Sequence, residues 1–382
     1  MSEPCPQDRA NDMELGATMR KVFEVELSSQ DGLCSELTLP ATPYALPDAL
    51  ERLDLADGEA PRWEILRMPN CGHLSPYLDH GGTLFELNAL VQRLSELNET
   101  ELAVMEGLVG MEQSRPGITP VPLPRLIDLA YSTDCCHLVE GVVAGAQLGR
   151  FCAENGFVPE AGDLPDAAFA LLDFERIGKQ FRKAEGGVFT RAGYVQRREE
   201  LKQVYNTLDL TLKKPDYAIL AELPDGNRVK LPTPLGKTVV DEPARCVDCA
   251  APVLNGLTAM RSTLDQMAFR LAELEVDGEL TKYKAVLAAI GCEDIAQALV
   301  LADELAHYSF DPELLEPDEV ASGYLKGLLP KKELAALLPN VNLHRYGQMI
   351  MEQSGGTLTG YGYVRPIMEQ TMEPQISEME LM

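Results

Sequence analysis

Basic residues are scarce in this sequence. Its 382 residues hold 33 Lys plus Arg against 60 Asp plus Glu, a formal net charge of −27, and five histidines cannot reverse that sign. A protein that reads nucleic acid needs a basic footprint to displace counterions from phosphate, so direct nucleic-acid binding is not expected. No run approaches the roughly 18 apolar residues that a membrane span requires. Residues 1–16 are polar and acidic, without the apolar core of a leader peptide, so the expected location is cytoplasmic with no membrane partner.

Catalytic signatures are also missing. There is no GxxxxGK[ST] phosphate loop, no GxSxG elbow, no HExxH and no calcium loop of alternating acids with a glycine. Sixty carboxylates guarantee accidental pairs, so none can be assigned as general acid and base. The expectation is a protein that is not an enzyme and carries no cofactor. Nine cysteines form no regular framework, which points to reduced thiols. Cys246-x-x-Cys249 is half of a zinc ribbon, and Cys135, Cys136 and His137 would be the remote source of further ligands. The second CxxC of a ribbon is absent, and a tight turn after Pro243 with small buried thiols and no metal is the favoured reading. His73, His80, His307 and His344 are scattered. Trp63, the single tryptophan, lies in an alternating strand and reads as core.

What is present is enough apolar content, 45%, to build two to three domains. The charge is uneven. Residues 1–110 carry 20 acids and 7 bases, residues 111–214 carry 14 and 13, and residues 215–382 carry 26 and 13. Acidic flanks thus enclose a near-neutral middle, basic from Arg176 to Lys214.

An internal repeat organises the chain. Arg176-Ile-Gly178, Gly186-Gly187-Val-Phe-Thr190 and Gly193-Tyr194-Val195 recur as Arg345-Tyr-Gly347, Gly355-Gly356-Thr-Leu-Thr359 and Gly362-Tyr363-Val364, each pair 169 residues apart. Each copy predicts a helix, a Gly-Gly turn and a short strand. Leucines at helical spacing around Arg93, Glu96 and Leu97 match those around Arg270, Glu273 and Leu274. Upstream, Phe23–Leu39 and Tyr217–Leu231 both predict hairpins around Asp-Gly, closed by a proline. The first copy adds a short helix at 47–55, a third strand at 63–67, helices within 83–112 broken near Asn98, and helices at 126–131, 146–155 and 166–184. The second copy is expected to lack the helix and third strand at 44–67 and to carry the Cys246 loop instead. The fold class is α+β: small antiparallel hairpin sheets with helical bundles, internally duplicated. The expected segments are an N-terminal extension 1–19, first-unit domains 20–113 and 124–196, a connector 197–216, second-unit domains 217–290 and 291–366, and a mobile tail 367–382. Prolines 116, 120, 122 and 124 mark the first boundary.

Three places resemble the ArdA-type antirestriction proteins of conjugative elements. Leu39-Pro-Ala-Thr-Pro, Ala49-Leu-Glu51-Arg-Leu and Leu84-Phe-Glu86-Leu-Asn88-Ala-Leu-Val look like that family's first domain. Leu126-Ile-Asp128-Leu-Ala-Tyr131, Gln147-Leu-Gly149 and Asn155 look like its carboxy-terminal domain. The most specific match is Leu172-Asp173-Phe174-Glu175-Arg176-Ile-Gly178-Lys179, similar to the family's D-[YF]-E-x-x-G-[RK] segment. The second copy departs from it, with Asn342 and His344 in place of the two acids. The resemblance implies an elongated protein that imitates bent DNA and occupies the DNA groove of a type I restriction–modification enzyme. Family members act as dimers, so homodimerisation stays open.

An imitator of duplex DNA needs carboxylates on rigid elements, and acids at i and i+3 or i+4 of a helix stand about 5–6 Å apart. Candidates in the first copy are Asp48, Glu51, Asp54, Asp57, Glu59, Glu86, Glu96, Glu99, Glu101, Glu106, Asp173 and Glu175. In the second they are Glu273, Glu275, Asp277, Glu279, Asp303, Glu304, Asp311, Glu313, Glu316, Asp318 and Glu319. The alternatives are ordinary solvated acidic faces, an accessory binding protein of a conjugative element that keeps the fold without antirestriction activity, and a zinc-containing adaptor.

Overall fold

The computed structural model describes residues 23–56, 58–69, 71–113, 120–234 and 240–367. The extension 1–19, the boundary segment 114–119 and the tail from 368 lie outside the described residues. The chain divides into two units, residues 1–41 with 53–212 and residues 42–52 with 213–382.

In the first unit, β1 (Phe23–Ser28) and β2 (Cys34–Leu39) form an antiparallel hairpin. After the short helix α1 (Ala45–Glu51), β3 (Arg62–Arg67) pairs with the free edge of β1, giving the order β2-β1-β3. Strict alternation turns Phe23, Val25 and Leu27 inward. Three helices follow: α2 (Leu84–Glu96), α3 (Glu99–Gln113) and α4 (Leu123–Ala130). Trp63 is buried as expected, with Nε1 donating to the Gly82 carbonyl. A second small sheet comprises β4 (Cys136–Glu140), β5 (Val188–Phe189) and β6 (Gly193–Arg197) in the order β4-β6-β5. It is covered by α5 (Gly145–Glu154) and α7 (Phe174–Glu185), with the single turn α6 (Asp166–Phe169) before α7. The expected continuous helix 166–184 is therefore two helices, because Asp173 leaves the helical path and caps the Arg176 N–H at 3.0 Å.

The second unit has a similar order, with no α-helix among the described residues between its second and third strands and with a fourth strand in its first sheet. Strands β7 (Ile219–Glu222) and β8 (Arg228–Leu231) form the hairpin; β9 (Pro243–Cys249) pairs with the other edge of β7 and β10 (Thr258–Met260) with β9. Helices α8 (Arg261–Val276), α9 (Leu280–Ile290) and α10 (Ile295–Asp303) follow. Then come β11 (Tyr308–Asp311), α11 (Pro317–Leu328), α12 (Lys331–Leu337), α13 (Leu343–Ser354), β12 (Thr357–Thr359) and β13 (Gly362–Pro366), with sheet order β11-β13-β12. The expected absence of a third strand is corrected: the Cys246 segment is that strand, not a loop. A register shift at Leu220/Ala221 skips Val247 and puts both Cys246 and Cys249 in the core, which hides the alternation.

Both units turn on the same two glycine contacts. Gly186 and Gly355 end α7 and α13 at φ 70° and 63°, where a side chain would be strained. A Cβ at Gly178 would overlap the Gly145 carbonyl, and one at Gly347 would overlap that of Pro317, so each helix pair closes to backbone contact.

The segment Thr42–Arg52, expected inside the first unit, packs in the second. There Lys284 Nζ lies 2.8 Å from Asp48 Oδ1 and also pairs with Glu51, while Tyr361 donates to Asp48 at 2.9 Å. Asp48 and Lys284 are 5% and 4% exposed, so neither charge has water as an alternative partner. Upstream, the Tyr44 hydroxyl donates to the Tyr217 carbonyl. Replacing Lys284 with Met leaves the buried Asp48 carboxylate only the Tyr361 hydroxyl and the Arg52 guanidinium at 3.5 Å, and is expected to cost about 3 kcal/mol in denaturant unfolding. The double change Asp48→Asn, Lys284→Met withdraws that charge and should recover part of the loss; an equal or larger loss would refute the pairing energetics.

Candidate acidic interface

The proposed carboxylates separate by what holds them. Two are corrected outright. Asp48 is the buried partner of Lys284. Glu86 is 8% exposed and closes a capping box at the start of α2: its carboxylate accepts from the Thr83 N–H at 2.7 Å and from the Tyr205 hydroxyl, while its own N–H donates to Thr83. Burial pushes the Glu86 carboxyl up, but Tyr205 and the Thr83 donors outweigh it and hold it below the usual range. Neither residue can face a partner. Asp57 lies outside the described residues.

Others anchor backbone. Glu101 accepts from the Asn98 N–H ahead of α3, and Glu59 from the Gln30 and Ala56 N–H groups. Asp311 accepts from the Glu313 N–H, while Glu316 and Glu319 form the capping box of α11. Asp173 caps α7, and Asn342 performs the same task for α13 at the same 3.0 Å. The first acid of the antirestriction-like segment thus serves a helix start that a neutral amide serves equally well. Glu175, next in the segment, is exposed.

A third group is held by cations. Arg270 donates to the Ala302 carbonyl and places its guanidinium 3.1 Å from Glu273 and 3.3 Å from Asp303, fixing an acid from α8 beside one from α10. Arg93 repeats part of this geometry in the first unit, 3.2 Å from the Ala130 carbonyl and 3.0 Å from Glu96, with one acid among the described residues in place of two. Glu275 pairs with Lys214, Glu279 with Lys282, Glu106 with Arg191, and Asp318 meets His344 at 3.1 Å. Asp277 and Glu304 are exposed beside the Arg270 cluster in sequence, as are Asp54, Glu99 and Glu313 on other elements. Glu51 is exposed at one edge while paired to Lys284. The exposed set is therefore richest in the second unit, around the ends of α8 and α10.

Part of the basic stretch from Arg176 to Lys214 is used within the units. Arg182 donates to the Gly187 carbonyl and stacks on Phe189, and Arg191 meets Glu106. Lys202 meets Asp134 at 2.6 Å and holds that carboxyl below its ordinary range. Sequence reading missed the acids that lie deepest. Asp248, fully buried, accepts from the Tyr217 hydroxyl at 2.7 Å, and Glu112 binds Arg125. Asp128 accepts from the Val204 and Tyr205 N–H groups.

Cys246 and Cys249 are fully buried. Their thiols face Asn255 Oδ1 and the Ala251 carbonyl, and burial pushes the Cys249 thiol well up. Among the described residues no group of three or more His, Cys, Asp and Glu side chains converges as a metal site would. None of the described helices is long and apolar enough to cross a membrane. No protein-family model matches the chain, and no curated protein matches it.

The lowered Glu86 carboxyl sets a sign for acid sensitivity. Its contribution is present above the ordinary carboxylate value of about 4.3 and is lost as pH falls through the lower folded value. Glu86→Gln keeps an acceptor for the cap but drops the charge, and should cost about 1 kcal/mol at neutral pH. Unfolding curves of the two proteins should converge on acidification; a gap that stays constant down to acid pH would contradict the assignment.

Proposed function

We propose that this protein is a non-catalytic inhibitor that presents carboxylates in place of DNA phosphates and occupies the DNA groove of a type I restriction–modification enzyme. The reading rests on the resemblance in the segment Leu172–Lys179, on the net charge of −27, and on one structural observation. That observation is the Arg270 clamp, which fixes Glu273 and Asp303 from different helices while its own guanidinium is tied to the Ala302 carbonyl. A mobile acid loses entropy when a partner fixes it and attracts any basic surface; a clamped one is organised before contact. In the first unit Arg93 holds a single acid among the described residues, Glu96, while tied to the Ala130 carbonyl. We read the two units as copies of one ancestral unit, since their elements and strand orders correspond.

A second reading keeps the fold as an accessory binding protein without antirestriction activity. The shared capping role of Asp173 and Asn342 favours it, because that part of the resembling segment follows from helix initiation alone.

Competition between the full chain and duplex DNA for a type I methyltransferase tests both. The inhibitor reading expects displacement of DNA that weakens steeply with added salt. The combined variant Glu273→Gln, Asp277→Asn, Glu279→Gln, Asp303→Asn, Glu304→Gln should weaken displacement by about tenfold or more and flatten its salt dependence. Glu96→Gln alone should change it by less than about threefold. Abolition by that single change would sink the distributed-charge idea, and absence of displacement by the unaltered chain would favour the accessory reading.

A further inference from the structure

The second unit contains a cleft of about 240 Å³ between the sheet β11-β13 and the helices α11 and α13. Leu314, Val320, Gly323 and Ile350 make its apolar part, with the rings of Tyr324 and Tyr363. Ser309, Asp311 and Arg365 supply its polar side. The ladder puts these three on one face: Ser309 is directly opposite Arg365, Asp311 is opposite Tyr363, and Asp311 and Arg365 are therefore diagonal neighbours. They form no ion pair with each other. Among the described residues the Arg365 guanidinium and the Ser309 hydroxyl have no partner, and Asp311 accepts a single backbone N–H.

The first unit provides a comparison within the same chain. Tyr194, the counterpart of Tyr363, is opposite Val139 where the second unit has Asp311, and Gln196 stands at the position of Arg365. Counting from Leu148 and Val320, which occupy equivalent core positions, Phe151 corresponds to Gly323; from the glycines 178 and 347, Phe181 corresponds to Ile350. Both phenylalanines pack onto the first unit's core. The second unit thus has smaller side chains at two positions and opposite charges at two more, all lining the same space.

We infer that this cleft binds a free α-amino acid with an aliphatic side chain. The volume lies below the roughly 300–1,000 Å³ typical of drug-sized ligands, so the occupant is small. Arg365 offers a planar fork for a carboxylate, and Asp311 offers an acceptor for an ammonium; an α-amino acid carries both groups on one carbon. A simple carboxylate would leave Asp311 unanswered, and a simple amine would leave Arg365 unanswered. The ligand's net neutrality also avoids repulsion by a strongly anionic body. The side chain then enters the space that Gly323 and Ile350 leave open.

Calorimetric titration of the full chain with L-leucine, N-acetyl-L-leucine and L-leucinamide tests this. The expected result is one leucine bound per chain, with each blocked derivative weaker by about tenfold or more. Arg365→Gln and Asp311→Asn should each weaken leucine by a similar factor. Gly323→Phe, which installs the first unit's residue, should abolish binding; a Cβ there meets only Leu314 within 4 Å, at 3.7 Å, an ordinary contact. Should that variant fail to fold, the two exposed polar changes carry the decision. No leucine binding up to about 10 mM, equal binding of the acetylated form, or indifference to both polar changes would overturn the assignment.

Discussion

With 60 carboxylates and 33 Lys and Arg side chains, the fold has to allocate cations. Burial sets the priority, because a carboxylate removed from water without a partner costs several kcal/mol while an exposed one costs little. Lys284 accordingly sits against Asp48, and Arg125 against Glu112. Where no cation reaches, hydroxyls and backbone N–H groups take over, as at Asp248, Asp128 and Glu86. Others, such as Arg270, Arg93 and Lys214, serve the surface, where they fix the direction of acids without removing the excess charge. The acidic exterior is thus the residue of an interior that has been satisfied first.

This allocation explains what could be read from the chain and what could not. The hairpins were legible because Asp-Gly turns and alternating apolar residues are local signals, and the repeat was legible because its offset is constant over twenty residues. The capping box at Thr83 and Glu86 was legible in principle as Thr-x-x-Glu before an apolar run. It passed for surface charge because Glu86 also looks like one acid among many. Asp48 carried no local signal at all: its spacing from Glu51 is that of an exposed helical row, and the lysine that buries it lies 236 positions away. Strand β9 was missed for another local reason, since the skipped Val247 and the buried Asp248 break the period-two pattern that marks a strand.

The segment Thr42–Arg52 shows how a short element can depend on a distant one. Seven residues of helix are marginal alone, so α1 is stable only where its inward residues, Leu46, Asp48 and Ala49, are covered. Cover comes from the second unit, with Thr281 and Lys284 of α9 meeting Glu51 and Tyr361 reaching Asp48. The chain's contiguous halves are therefore not its structural units, and the second unit is incomplete without residues from the first half of the sequence.

Corresponding positions in the two units act as an internal control on which charges the architecture requires. Arg93 with Glu96 and Arg270 with Glu273 keep the same pairing, so that acid is part of how a helix pair is held. Asp173 and Asn342 keep the same cap with different charge, so there the fold needs an acceptor and is indifferent to its sign. Asp311 and Val139 share neither polarity nor size, although their strands pair identically with a tyrosine. A carboxylate that one unit replaces with an amide at an unchanged cap serves there as an acceptor, and its charge is not what the fold requires. Asp311 and Glu175 differ from that cap in kind: Asp311 accepts the Glu313 N–H where Val139 of the first unit packs in the core, and Glu175 lies against Gly145 where His344 of the second unit meets Asp318.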